Sequence, residues 1–224
     1  MRAEANPLGT RPQPLHRLWR AAALVAGLVG AFMALALAVE AGDASLAAFD
    51  ARLGEVLRRQ AATPVGAALS WLSALHAPRG IVALTALASL ALWRWRERVG
   101  LVVLLASVLG GAAINHALKH GFQRPRPGLE LAVSAATDFS FPSGHAANAT
   151  LLYGTLTALV VLRKASPPVR IGVVAAAVLM VSCIACSRVV LSAHRSSDVL
   201  AGVLVGLAWL TVCLALRCAW RLRQ

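Results

Sequence analysis

The chain has 224 residues, 58% of them hydrophobic and 14% charged, with a mean hydropathy of +0.70. A soluble domain carries roughly a quarter charged residues, so these figures exclude an ordinary globular protein and point to an integral membrane protein of one compact domain. The net charge of +13 would suggest nucleic acid in a soluble protein, but here Lys and Arg concentrate at the ends of apolar runs, the pattern of membrane orientation and anionic-lipid contact, and no nucleic-acid partner is expected.

Residues 1–20 hold Arg2, Arg11, Arg17, Arg20 and three prolines and read as a disordered basic cytoplasmic tail. Residues 21–39 are free of charge for about the length of a bilayer span. Ala36-Leu37-Ala38 resembles a signal-peptide cleavage site, but the run is longer than a signal core, and an uncleaved helix is expected. Residues 41–60 are mixed in charge, with Leu46, Phe49, Leu53, Val56 and Leu57 at helical spacing, and predict an amphipathic surface helix. Residues 63–76 are apolar but short, as in an interfacial or re-entrant helix, and Pro78 ends them.

Residues 80–93, 101–118, 146–162, 171–186 and 199–216 complete the apolar runs. The expected fold is all-α, an integral membrane bundle of about six transmembrane helices. It comprises a membrane-embedded domain at 21–218 and a second basic tail at 219–224. Cys183 and Cys186 form a C-x-x-C inside an apolar run without a second pair at ligand spacing. They read as small apolar side chains of a buried helix rather than a redox or metal site.

Orientation follows from charge. With six spans, residues 1–20, 94–98, 163–170 and 217–224 share one side; they are rich in Arg or Lys and nearly free of acid. The positive-inside rule puts them in the cytoplasm. Residues 41–77, the loop 120–144 and the turn at 188–198 then share the opposite, extracytoplasmic face. Trp19, Trp93, Trp95 and Trp220 fall near span ends on the cytoplasmic side, as an aromatic belt does.

Three polar clusters lie on that outer face, and charge in a membrane-embedded chain defaults to a functional reading. In Ser187-Arg188-x5-His194-x3-Asp198, a helical spacing would put His194 and Asp198 on one face. The carboxylate could then orient one imidazole nitrogen and leave the other as a nucleophile. Alternatively, Asp198 is a helix N-terminal carboxylate and His194 an interfacial residue. In Pro142-Ser143-Gly144-His145, Ser143 is a candidate N-cap, and the free N–H groups of a helix start make an anion site. His145 stands where it could protonate a leaving oxygen; the alternative is an ordinary capped helix with an incidental histidine. Lys119 ends a span and Arg126 follows in a proline-stiffened segment. Either could anchor in headgroups, or grip phosphoryl oxygens as a point charge and a fork. Arg124 is distinguished from Arg126 by spacing alone. Asn115 and His116, within a turn of Lys119, read as helix–helix hydrogen-bonding groups that could line a pocket. His76 reads as interfacial, and His120, Arg124 and Arg195 as flanking residues.

Taken together, the clusters resemble the three-part signature of the type 2 phosphatidic acid phosphatase superfamily, K-x6-RP, PSGH and SR-x5-H-x3-D, with every position present in order from Lys119 to Asp198. The resemblance implies a lipid phosphatase. Lys119, Arg126 and Arg188, with Ser143 and the Gly144 amide, would bind the phosphoryl group. His194 would be the nucleophile that forms a phosphohistidine, Asp198 its orienting residue and His145 the general acid. Similar enzymes need no metal, and no cofactor is expected.

The implied substrates are lipid phosphates or pyrophosphates: undecaprenyl pyrophosphate, phosphatidylglycerophosphate or phosphatidic acid. The Ala-rich composition favours a bacterial inner membrane. Alternatives are a phosphotransferase or lipid A phosphatase using the same site, or a non-catalytic lipid-binding or transport protein. The related vanadate-dependent haloperoxidases are soluble, unlike a chain with these spans.

Overall fold

The computed structural model describes residues 14–127, 139–163 and 165–221. Residues 1–13 of the expected tail, 128–138 of the long loop, Lys164 and residues 222–224 lie outside the described part. The described residues form eight α-helices: α1 (Pro14–Glu40), α2 (Ala44–Arg58), α3 (Pro64–Leu75), α4 (Pro78–Arg94), α5 (Arg98–Phe122), α6 (Gly144–Leu162), α7 (Pro167–Val190) and α8 (Ser196–Arg221). Helices are the solution that hydrocarbon imposes, because each satisfies its own backbone hydrogen bonds.

Helices α1, α5, α6, α7 and α8 are each long and apolar enough to cross a membrane. A sixth candidate is the pair α3 and α4, which passes the same test only when taken together and is bent by 66° at the junction, as a broken span or a re-entrant loop is. The break is chemical. Pro78 opens α4, where its missing N–H costs nothing, and its ring disfavours a helical residue before it. Helix α1 begins at Pro14, ahead of the expected start at Ala21; long basic side chains such as Arg17 and Arg20 can continue a helix into the interface with their heads in water.

Helix α2 is the expected surface helix. Asp43 caps it by accepting the Leu46 N–H at 2.8 Å, Phe49 and Val56 are exposed, and Asp50 and Gly54 are buried. It lies across α7 and α8, α3 packs on α7 and α4 on α5; α8 meets α1, α5 and α6, and α6 also meets α5 and α7. Cys186 is exposed on the outer side of α7, not buried as expected. That helix turns most of its apolar surface outward, as Val174, Val178 and Leu179 do.

Lipid tails offer no hydrophobic drive between helices, so close contact relies on small residues. A Cβ on Gly202 would stand 2.4 Å from the Ser143 carbonyl oxygen, and one on Gly206 would stand 2.9 Å from Thr150 Cβ. These glycines bring α8 against the first turns of α6. Ala146, Val189 and Val199 pack together just beneath, while Leu104, Val108, Leu151, Leu152 and Leu210 form the larger core nearer mid-bundle. The chain alternates in direction. The ends of α5 and α7, the starts of α6 and α8, and the short helices α2 and α3 therefore meet at one end of the bundle. Arg94, Arg96, Arg98, Arg163, Arg170, Arg217 and Arg221 gather at the other.

Candidate active site

At the first of these ends a cavity of about 340 Å³ is lined by Lys119, Arg126, Gly144, His145 and His194, together with His76, Asn115, His116 and Asn148. Five of the eight expected site residues thus share one cavity. The other three do not line it but adjoin residues that do: Ser143 precedes Gly144, Asp198 lies 3.7 Å from His194, and Arg188 is close enough to His145 to act on its charge.

Lys119 projects from the last turn of α5, which Gln123 ends in a left-handed conformation at φ 47°. The Lys119 ammonium donates to the Phe139 carbonyl. The next segment is held by its backbone: the Arg124 carbonyl accepts the Ser140 N–H at 2.8 Å. The Pro125 carbonyl accepts Ser140 Oγ at 3.1 Å and Arg195 Nη1 at 3.1 Å. This separates the two arginines that spacing alone distinguishes. Arg126 lines the cavity and donates Nη1 to the Ala193 carbonyl at 3.1 Å. Arg124 turns the other way, into a buried network.

Ser143 is the N-cap residue of α6, but its side chain makes no capping bond. Its N–H donates instead to the Asp198 carbonyl at 2.9 Å, tying the starts of α6 and α8 together. Its hydroxyl is fully buried and has no hydrogen-bond partner among the described residues. An unmet buried hydroxyl beside the open N–H groups of a helix start suits an oxyanion. His145 follows on the cavity side, with Arg188, His194, Arg126 and His76 close enough to act on its charge.

Arg188 ends α7. Its Nη1 donates to Ser73 Oγ on α3, and its carbonyl accepts the N–H groups of Ala193 and His194 at 3.0 and 3.1 Å. That turn carries His194, 3% exposed, into the wall between the cavity above and a second one of about 200 Å³ beneath α2. His194 therefore precedes α8 rather than sitting on it. Its approach to Asp198 comes from the turn and not from helical spacing.

His194 Nδ1 lies 3.7 Å from Asp198 Oδ2, beyond hydrogen-bond length, so their interaction here is Coulombic. Burial holds the His194 imidazole below the ordinary histidine range, Asp198 works against that, and Arg126 and Arg188 add to it. Asp198 also performs the capping task weighed as its alternative. Its Oδ2 accepts the Arg195 N–H at 2.9 Å, reaching back over the first turn of α8.

Three contributions escaped the sequence reading. Asp50, 7% exposed, accepts the Ser197 N–H at 2.8 Å and the Ser197 hydroxyl at 2.5 Å. Arg124 bridges the two carboxylates, 2.6 Å from Asp198 Oδ1 and 3.5 Å from Asp50 Oδ2. His76 is buried, not interfacial. Its Nδ1 donates to the Leu72 carbonyl at 2.8 Å, and Nε2 pairs with the Tyr153 hydroxyl at 2.6 Å. Ser73 is the third. For Asp50 a signal existed: it shares one helical face with Leu46, Leu53 and Leu57, so a carboxylate interrupts the apolar stripe of α2. For Ser73 and His76 no local pattern pointed inward. Asn115 donates to the Pro142 carbonyl at a long 3.5 Å and also lines the cavity. Among the described residues no group of three or more His, Cys, Asp or Glu side chains is placed to hold a metal ion.

Comparison with known proteins bears on the family and the fold. The model of the PAP2 superfamily matches residues 100–222. The fold is similar to the crystal structure of a transmembrane PAP2-type phosphatidylglycerolphosphate phosphatase from Bacillus subtilis, with a TM-score of 0.74 and 22% identity over 86% of this chain and 94% of that one. No curated protein matches the sequence.

Proposed function

Since the chain belongs to the PAP2 superfamily of membrane phosphatases, we propose that it hydrolyses the phosphoester or pyrophosphate bond of a membrane lipid through a phosphohistidine on His194. The observation that carries this reading is the convergence of Lys119, Arg126, His145 and His194 on one cavity.

The phosphoryl oxygens lie against Lys119, Arg126 and Arg188, with the Ser143 hydroxyl and the Gly144 N–H completing the cradle. Three cations supply the charge neutralisation that phosphoryl transfer requires. His194 turns Nδ1 toward Asp198 and attacks phosphorus with Nε2. As the N–P bond forms, the P–O bond to the lipid breaks, and His145 gives its proton to the departing oxygen. Water then attacks the phosphohistidine and passes a proton to His145; the N–P bond breaks, releasing phosphate and neutral His194. Asp198 balances the positive charge on the imidazole ring in the intermediate.

The arginine-rich end is cytoplasmic by the positive-inside rule, which puts the cavity at the outer surface. A bacterial inner membrane and an envelope lipid fit that placement. The headgroup reaches the cavity while the tails stay in hydrocarbon. Undecaprenyl pyrophosphate, phosphatidylglycerophosphate and phosphatidic acid form the substrate panel; phosphatidylglycerophosphate is also the substrate class for which the structurally similar protein is named. Phosphate release by the purified protein, with kcat/KM compared across the panel, tests the reading. A labelled lipid should leave acid-labile phosphate on wild type and none on His194→Gln. Absence of phosphate release from every lipid would overturn it, and transfer of label to an added alcohol in preference to water would make it a phosphotransferase.

A further inference from the structure

The end of the bundle opposite the catalytic cavity carries a second feature. Helices α5 and α8 separate there and leave an apolar groove of about 480 Å³, walled by Val99, Val102, Val103, Ala106, Cys213 and Leu216. Trp209 closes its inner end, anchored by its indole N–H, which donates to the Ala106 carbonyl at 3.0 Å. Arg98 stands at the mouth on the α5 side, and Arg217 and Trp220 on the α8 side.

The dimensions suit one lipid tail. From Trp209 to Trp220 the rise along α8 is about 16 Å at 1.5 Å per residue, and one leaflet's hydrocarbon is about 15 Å deep. The groove thus runs from headgroup level to the bilayer midplane and stops. Charge at the mouth selects the headgroup. Arg98 also lines an adjoining basic recess with Trp93, Arg94 and Arg96. Glu97 is the sole carboxylate at this end among the described residues; Arg163 engages it at 2.9 Å, and it is also close enough to act on Arg217, where Arg221 opposes it. Arg217 Nε is buried and has no hydrogen-bond partner among the described residues. A phosphodiester oxygen supplies the acceptor that this donor lacks.

We propose that this groove is a specific site for one anionic phospholipid, its acyl chain between α5 and α8 and its phosphate on Arg98 and Arg217. The site is separate from the catalytic cavity and does not depend on the phosphatase reading. Basic recesses between spans are the usual seat of acidic lipid headgroups.

The test is native mass spectrometry of the full chain released from nanodiscs of equal phosphatidylglycerol and phosphatidylcholine, with wild type, the double variant Arg98→Gln/Arg217→Gln, Val102→Trp and Arg126→Ala. Wild type should retain one phosphatidylglycerol about tenfold over phosphatidylcholine. The double variant should lose that preference, Val102→Trp should lose both lipids by filling the groove, and Arg126→Ala, which disables the catalytic cavity, should still keep the wild-type preference for phosphatidylglycerol. Thermal unfolding of the groove variants reports that their fold is intact; if the double variant does not fold, the two single variants replace it. Equal retention of both lipids by wild type would overturn the proposal. So would a preference that survives in the groove variants or disappears in Arg126→Ala. A dimer that Val102→Trp splits would make a second copy the occupant and overturn it as well.

Discussion

Arg124 and Asp198 meet through Nη1 and Oδ1 at 2.6 Å, leaving the other oxygen of the carboxylate to face His194 at 3.7 Å. Asp198 is thus held from three sides: by Arg124, by the Arg195 N–H, and by its own helix, whose first turn Asp50 caps from α2. A carboxylate fixed in this way can orient an imidazole without itself reorienting. Asp50→Asn keeps one acceptor for Ser197 but removes the second negative charge on Arg124. Its kcat should fall about 10–100-fold with KM nearly unchanged, by analogy with other outer-shell partners. Because both residues act through Asp198, Arg124→Gln on top of Asp50→Asn should cost much less than the product of the two single losses. Full additivity in that double-mutant cycle would show that the two act separately.

His194→Gln should abolish turnover, with a loss of at least about 10⁴-fold, as expected when a covalent nucleophile is removed. Steady-state phosphate release measures this, and thermal unfolding of the same preparation should match wild type. Near-normal release by the variant would remove His194 from the mechanism.

His145→Ala should separate leaving groups. A natural alkoxide needs the proton and should slow about 10²–10⁴-fold, whereas an activated aryl phosphate leaves without one. With the aryl substrate the variant should show a burst of phenol, because the phosphohistidine forms faster than water, lacking its base, can cleave it. Equal slowing of the first step, leaving-group release in a single turnover, on both substrates would contradict the acid role.

The ionisation of His194 has a definite sign. Burial holds its affinity for protons below the ordinary value of 6.5, so the imidazole is neutral and nucleophilic at pH 7 and stays so as pH falls through 6.5. An unfolded chain binds that proton first, so stability declines as pH drops from 6.5 toward the folded value. Histidine-labelled protein, with the signal assigned by its loss in His194→Gln, should titrate His194 below 6.5. A midpoint above 6.5 would mean that Asp198 dominates instead.

Gly202→Ala tests how the site is assembled. The added Cβ would stand 2.4 Å from the Ser143 carbonyl oxygen, so α8 must move away from the start of α6. Overpacking of this kind costs about 1–3 kcal/mol. It also strains the Ser143–Asp198 backbone bond that ties the start of α6 to the start of α8 beside His194. Thermal unfolding should drop, and KM for the lipid should rise.

The order of apolar runs, the punctuation by Pro78 and the arginine-rich turns already define most of the bundle, because in hydrocarbon a span must be both apolar and helical. The three clusters were legible for the same reason: charge in such a chain stands out against its surroundings. What spacing cannot express is direction. Arg124 and Arg126 are two residues apart, yet one enters the cavity and the other bonds Asp198. His194 and Asp198 suggest a helical pair, yet a turn hung on the Arg188 carbonyl brings them together. Asp50, Ser73 and His76 come from residues that precede the stretch matched by the family. Ser73 and His76 look ordinary in their own segments, Asp50 shows only as a break in an apolar stripe, and each gains its partner only when α2 and α3 fold over the ends of the longer helices. The sequence by itself determined the membrane fold and the chemical groups of the site, since both follow from local composition. Only the tertiary structure decided which arginine lines the cavity and which faces carboxylate, and which buried hydroxyls and carboxylates lie beside them, because those depend on contacts between residues far apart in the chain.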